Sequence, residues 1–431
     1  MKVLMFGWEF PPHIAGGLGT ACEGIVKGLA HNGVETLFVM PSASGDEDQS
    51  CTTILNASDV AVRYVSESVD EFLNAVKFIN VDSNLVPYVD PEEYFEAIEK
   101  MKKESVSTTS IGFGQKFAFS GKYGANLLEE VDRYAQVGGT IAMQHNGEFD
   151  IIHAHDWLTY PAGVAAKELS GKPLVVHVHA TSFDRGTDDM VDSRVFAIEK
   201  RGMEAADRVV TVSDLTRNIV INRYGIDPSK VVTVHNAVDF SGRDNIDVSR
   251  NVKEKVVTFL GRITFQKGPE YFIEAAAKVL KRTKNVRFVM AGSGDMMTRA
   301  IRQVARLGIS DRFHFTGFLR GQEVQKMFAM SDVYIMPSVS EPFGISPLEA
   351  MRSNVPSIIS HQSGAAEVLR YALKIDFWDV DAMADDIYAL INYPALADFA
   401  TRQGYEEVNA LKWNVATAKL KAVYESVLNR Q

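Results

Sequence analysis

The chain has 431 residues, more than one domain ordinarily holds, so two domains are expected. Hydrophobic residues make up 46% and charged residues 23%, which excludes a mainly disordered, collagenous or coiled-coil chain. The net charge of −10, from 45 basic and 55 acidic residues, leaves no footprint for non-specific nucleic-acid binding; an anionic ligand must be met by a few placed cations. Two cysteines cannot build a disulfide framework, and Cys22 and Cys51 read as buried thiols of a reducing compartment. No apolar run reaches the roughly 20 residues of a membrane helix. Met1 to Phe6 is too short for a signal peptide, since Pro11 and Pro12 follow almost at once. A cytoplasmic protein without an integral membrane segment is expected.

In chain order, the runs at 3–7, 35–40, 149–154, 173–179, 208–213 and 230–235 are short and rich in Val and Ile. They lack polar alternation, which suits strands buried on both faces. Residues 18–31, 158–169, 192–205 and 214–224 read as helices between some of them. This rhythm predicts a mainly parallel sheet covered by helices on both sides. Residues 41–148 fit it poorly and read as an elaboration of the first unit, with helices near 91–104 and 123–142. Such an elaboration either carries specificity over a cleft or merely covers the sheet.

The polar stretch DFSGRDNIDVSRNVKE, 239–254, reads as a linker. Strands then resume at 255–262, 286–292, 312–317, 332–337 and 355–360. The expected fold class is therefore α/β: two Rossmann-like, doubly wound units, 1–240 and 241–411. The stretch 410–430, with Leu411, Val415, Ala418, Leu420, Val423, Tyr424 and Val427, reads as an amphipathic helix, and 412–431 is assigned with the first unit as its C-terminal helix.

Four strings carry chemistry. PPHIAGGLGTACEG, 11–24, joins a strand to a helix, and Gly16, Gly17 and Gly19 would let backbone amides approach an anion. It matches neither the dinucleotide fingerprint nor a Walker loop, and it also fits a plain tight turn. HAHDW, 153–157, puts His153 and His155 on one side of a strand, and His177 and His179 repeat the spacing. These pairs admit a metal site, as in metal-dependent hydrolases. They equally admit two distal histidines facing a polar ligand, with two proximal ones buried and hydrogen-bonded. GRITFQKG, 261–268, offers the planar fork of Arg262 and the point charge of Lys267 to a diphosphate, or a solvated pair. SEPFGISPLEAM, 340–351, places Glu341 and Glu349 with seven residues between them, around a bend and a helix starting near Ser346. Carboxylates there could accept hydrogen bonds from a vicinal diol, at a strand end where open α/β sheets bind ligands.

Taken together, the four strings resemble the retaining, nucleotide-sugar-dependent glycosyltransferases of the GT-B fold, families four and five, which include the bacterial glycogen and starch synthases. The resemblance spans nearly the whole chain except about 41–148, and E-x7-E is its most specific element. It implies an interdomain cleft, with the last helix crossing back to the first domain. Arg262 and Lys267 would bind the donor's diphosphate, Glu341 the hydroxyls of the transferred sugar, and Glu349 the ribose. Backbone amides of Phe343, Gly344 and Ile345 would help hold sugar and phosphates, while Gly16, Gly17 and Leu18 belong to the loop approaching the diphosphate from the other domain. His155 matches the active-site histidine near the sugar, and His179 matches beside it. The implied catalytic set is His155, Arg262, Lys267 and Glu341. No metal and no cofactor are implied; the partners are a nucleoside-diphosphate sugar donor and a glucan or other sugar acceptor.

One departure separates this chain from the bacterial glycogen synthases. Their first loop reads Lys-Thr-Gly-Gly-Leu, and here it reads Ile14-Ala15-Gly16-Gly17-Leu18, without the lysine. Three functions therefore stand open: an α-1,4-glucan synthase using ADP- or UDP-glucose, a family-four-like transferase with a small or lipid-linked acceptor, and an HxH metal-dependent hydrolase.

Overall fold

The computed structural model describes residues 1–13, 17–64, 114–124, 126–185, 191–238 and 252–429. The chain divides into two units, Met1–Ala237 with Trp413–Gln431, and Val238–Lys412. Each is built on one all-parallel sheet with helices on both faces.

The first sheet has seven strands: β1 (Lys2–Phe6), β2 (Glu35–Met40), β3 (Thr53–Asn56), β4 (Ile151–His155), β5 (Leu174–Val178), β6 (Arg208–Thr211) and β7 (Val231–Thr233), in the order β3-β2-β1-β4-β5-β6-β7. Chain order reverses between β1 and β4, which pair in parallel from Val3–Ile151 to Phe6–Ala154. Strand alternation assigns the two faces. Leu4, Phe6, Leu37, Val39, Ile152, Ala154 and Val176 share one core with α2 (Leu127–Gln144) and α3 (Tyr160–Ser170). Val3, Met5, Phe38, Ile151 and Val175 share the other with α1 (Gly17–His31) and the last helix, Trp413–Leu428.

Small residues let these helices approach closely. A Cβ at Gly24 of α1 would stand 2.1 Å from Trp413 Cε2, and one at Gly28 would stand 2.6 Å from Thr417 Oγ1. The Asn32 amide donates to Asn414 O (2.8 Å) and Thr417 Oγ1 (2.9 Å), tying the end of α1 to the final helix. In α2, a Cβ at Gly138 would stand 2.8 Å from the Ala162 Cβ of α3.

The elaboration expected over 41–148 is smaller than its bounds. Thr53–Asn56 is a strand of the main sheet, and α2 is a core helix, burying Val131, Tyr134, Val137 and Ile141. It is the helix expected near 123–142, and adjacent glycines and the buried polar Gln136 and Thr140 interrupt its apolar stripe. The helix expected near 91–104, most of the linker and Gly16 lie outside the described residues. Cys22 is buried as a thiol, but Cys51 is only partly buried, because it precedes an edge strand; both are free. Val415, placed with the apolar stripe of the last helix, is 56% exposed, and Trp413 is the buried anchor instead.

The second sheet has six strands: β8 (Lys255–Leu260), β9 (Val286–Ala291), β10 (Phe313–Gly317), β11 (Val333–Met336), β12 (Ser357–Ser360) and β13 (Leu373–Ile375), in the order β10-β9-β8-β11-β12-β13. Phe272, Ile273 and Val279 of the helix Pro269–Arg282 pack with Phe259, Phe288 and Ile335. Met383 and Ile387 of the helix Val380–Asn392 join the same core. Among the described residues, no helix is long and apolar enough to cross a membrane.

Candidate active site

In the second unit, chain order reverses between β8 and β11, so the loops leaving their carboxyl ends part in opposite directions and open a crevice. Arg262 and Lys267 follow β8, and Glu341 follows β11. After β8 the chain makes one 3-10 turn, Phe265–Lys267, and stops at Gly268 with φ +65°. Only glycine fits there, because a Cβ would lie 2.1 Å from Pro337 O. That close approach presses the β8 loop against the β11 loop. The Val339 amide donates to Gln266 O (2.8 Å), sewing the two together.

The pairing of these loops brings Lys267 Nζ onto the Glu341 carboxylate as a direct ion pair, both side chains largely buried. Ser338 Oγ donates to the same carboxylate at 3.4 Å. Arg262 Nη2 donates to Gln266 Oε1 at 3.2 Å. The Glu341 backbone is held on both sides: its amide donates to Gln362 O and its carbonyl accepts from Gly364 N, each at 2.9 Å. Phe343 is buried, and its carbonyl accepts from Ala365 N at 2.7 Å. Gly344 has φ +92°, and a Cβ there would press on Met336 Cε at 2.9 Å and Glu341 Cγ at 3.1 Å. Ile345 precedes the short helix Ser346–Arg352, which carries Glu349 in its first turn. Burial pushes the Tyr334 phenol up, and the nearby carboxylates of Glu341 and Glu349 add to the shift. Seven of the residues named from the sequence therefore lie on the segments that follow β8 and β11: Arg262, Lys267, Glu341, Phe343, Gly344, Ile345 and Glu349.

In the first unit, Gly17 opens α1 and is exposed, and Leu18 is half-buried behind it. The Glu9 carboxylate accepts from Gly19 N at 3.0 Å, so a buried acid already serves this helix start.

The four histidines form one row on the α1 side of the sheet. His155 of β4 is in register with His177 of β5. His155 Nδ1 and His179 Nε2 are 2.9 Å apart, and Tyr424 Oη and His153 Nδ1 are 2.7 Å apart. His153, His155 and His177 are fully buried, while His179 keeps part of its surface. Of the two histidines matched to the sugar, His179 is thus the one that reaches solvent, and His155 stands behind it. Burial holds His153, His155 and His177 well below the ordinary range, and their neighbours lower them further. Burial brings His179 down to about 3. All four are neutral at neutral pH.

Asp156, next in HAHDW, adopts φ +59°, a conformation uncommon outside glycine. Its carboxylate accepts from His179 N (2.7 Å) and Ala180 N (3.2 Å), which fixes the strand end carrying His179. Burial pushes it up to about 7, against the pull of Arg185 and the two amides. Arg185 also pairs with Glu199 at 3.6 Å, and Glu199 accepts from Ser182 Oγ at 2.6 Å. Sequence reasoning missed Asp156, Arg185 and Glu199 as parts of this network and read Tyr424 only as part of an apolar stripe. The first lay inside a motif already singled out; the others carry no local signal.

Two consecutive family models match: Glycosyltransferase Family 4 over residues 124–241, and Glycosyl transferases group 1 over residues 243–407. The chain belongs to the GT-B glycosyltransferases and resembles glycogen synthase. It is 29% identical over 386 residues to an uncharacterized glycosyltransferase of Methanocaldococcus jannaschii (86% of this chain, 83% of that one). It is 28% identical over 313 residues to D-inositol 3-phosphate glycosyltransferase 2 of Catenulispora acidiphila (66% and 72%). It is 21% identical over 431 residues to glycogen synthase of Mycobacterium tuberculosis (98% and 94%). In fold it is similar to sucrose-phosphate synthase from Thermosynechococcus elongatus, with TM-score 0.69, 16% identity and 100% of both chains covered. The HxH hydrolase reading falls with this result. Its histidines also lack the open position a catalytic metal needs, since three are fully buried.

Proposed function

We propose that this glycosyltransferase moves glucose from ADP- or UDP-glucose to the non-reducing end of an α-1,4-glucan, with retention at the anomeric carbon, in the cytoplasm. The observation that carries the donor half is the Lys267–Glu341 ion pair at the β8/β11 crossover, with Arg262 on the same strand end. A cation and a carboxylate held together suit a ligand that is anionic at its diphosphate and hydroxylated at its sugar.

In this reading the donor's diphosphate lies against Arg262 and Lys267, and the backbone amides of Phe343, Gly344 and Ile345 assist. Glu341 accepts from the sugar hydroxyls and Glu349 from the ribose. The bond from the anomeric carbon to the diphosphate oxygen breaks as the bond to the acceptor oxygen forms on the same face. The acceptor proton passes to the departing phosphate oxygen. Negative charge grows on the diphosphate, and the two fixed cations meet it, so the step needs no divalent ion at the phosphates. In this reading His179, the histidine of the row that reaches solvent, offers its imidazole to a sugar hydroxyl, with His155 behind it.

Radiolabelled glucose offered as ADP- and UDP-glucose with glycogen primer tests this, after a thermal-shift screen of nucleotide sugars has found the one that stabilises the protein. Label in precipitable glycogen supports the reading. Label confined to a soluble or lipid-extractable product favours the second one, a family-four-like enzyme with a small or lipid-linked acceptor. That second reading rests on Ile14, where bacterial glycogen synthases carry lysine, and on the similarity to an inositol phosphate glycosyltransferase.

A further inference from the structure

The histidine row contains more ring nitrogens than the protein satisfies. His153 Nε2, His155 Nε2 and both nitrogens of His177 are buried and have no hydrogen-bond partner. An imidazole has one donor and one acceptor, and each needs a partner once water is excluded. A four-fold deficit in one place, on three adjacent and fully buried side chains, calls for a resident group.

The three imidazoles converge. One ligand nitrogen from each of His153, His155 and His177 lies within 4.8 Å of the others. Metal–nitrogen bonds of about 2.0–2.1 Å in a tetrahedral set need nitrogens about 3.4 Å apart, so the three rings would have to draw together on an ion. The remaining nitrogens complete the pattern. His153 presents Nδ1 to Tyr424 Oη, and His155 presents Nδ1 to His179 Nε2. Each thereby aims its Nε2 the other way, as metal-bound histidines do when the second ring nitrogen is held by an outer partner. Met5 of β1 is in register with His153 and lines the same face of the sheet.

We propose that His153, His155 and His177 bind one first-row transition-metal ion of the zinc class within the first unit, as a structural clamp joining β4 and β5 to the final helix through Tyr424. Three neutral nitrogen ligands select zinc, cobalt, nickel or copper over magnesium or calcium. The ion would lie inside the sheet-to-helix core and take no part in the transfer. It would fix His155, leaving His179 to face solvent.

The test uses the full, tag-free chain. After growth with added zinc and gel filtration, elemental analysis should find close to one ion per chain, and His177→Gln and His153→Gln should each hold less than a tenth of that. Cobalt exchanged for zinc should show the visible ligand-field bands of a low-symmetry nitrogen site. If the variants fail to fold, the wild-type protein still decides. Its melting temperature should fall after stripping with chelator and return with zinc alone. Less than a tenth of an ion per chain, with a melting temperature indifferent to zinc, overturns the proposal, as does metal retained equally by both variants.

Discussion

Lys267 and Glu341 are 74 residues apart in sequence and share one buried ion pair. Parallel pairing of β8 with β11 brings the ends of their strands side by side, and Gly268 brings the loops into contact. Neither charge is simply exchangeable, because removing one leaves the other partly buried without its counter-charge. Lys267→Ala is expected to lower kcat/KM for the donor by about 10²–10³, and Glu341→Gln by a comparable factor. Because the two side chains touch, the double variant should lose less than the product of the single losses. Steady-state kinetics on the four proteins checks this. An undiminished kcat in Lys267→Ala would remove the lysine from its assigned role.

Two glycines of this crossover should respond differently to alanine. At Gly268 the new Cβ meets backbone, Pro337 O at 2.1 Å, with φ at +65°. Nothing nearby can yield cheaply, so Gly268→Ala should cost about 2 kcal/mol or more and lower the melting temperature by several degrees. At Gly344 the nearest atom is Met336 Cε, the end of a flexible chain, but Glu341 Cγ is also pressed at 3.1 Å. Gly344→Ala should therefore show a smaller thermal shift and a larger drop in donor kcat/KM. Differential scanning calorimetry beside kinetics separates the two, and equal thermal losses would contradict the distinction.

Legibility followed locality. Runs such as ETLFVM and KVVTFL announced β2 and β8 because a strand buried on both faces needs nothing beyond its own apolar residues. The short β3 and β13 stayed hidden, since TILN and LKI at sheet edges are too brief and too polar to stand out. In the site, GRITFQKG and SEPFGISPLEAM could be singled out separately, but no spacing reveals that Lys267 meets Glu341. Spacing also could not rank His155 against His179, because the difference is one of depth below helices that arrive from far along the chain. Tyr424, which reaches His153 from the last helix, is 271 residues from it.

The final helix is a structural part of the first unit rather than a tail. Trp413 fills the notch left by Gly24, and Thr417 Oγ1 receives the Asn32 amide. Trp413→Ala should destabilise that unit by about 3–5 kcal/mol, the range for emptying a buried tryptophan site. Gly24→Val should do comparable damage from the other side of the contact. In combination the second substitution should add little, since the space it violates has been emptied. Chemical denaturation followed by circular dichroism measures all three; strict additivity would show that the two residues do not share the contact.

Stability of the second unit should carry a pH signature from Asp386, on the helix Val380–Asn392. Burial, with repulsion from Asp385 beside it, pushes its carboxyl from 3.8 up to about 6. Asp385 itself pairs with Arg282, so the counter-charge goes to the neighbour. A raised acid binds its proton more tightly folded than unfolded. It therefore costs nothing below about pH 3.8, costs progressively more between there and about 6, and costs its full amount above. The side chain is only partly buried, so the full amount after solvent screening is on the order of 1 kcal/mol. Asp386→Asn, which cannot ionise, should match the wild type near pH 4 and be more stable by about that amount at pH 7. Urea unfolding of both proteins across this range reads the difference directly, and a gap that does not widen with pH would place the ionisation of Asp386 outside the stability of the fold.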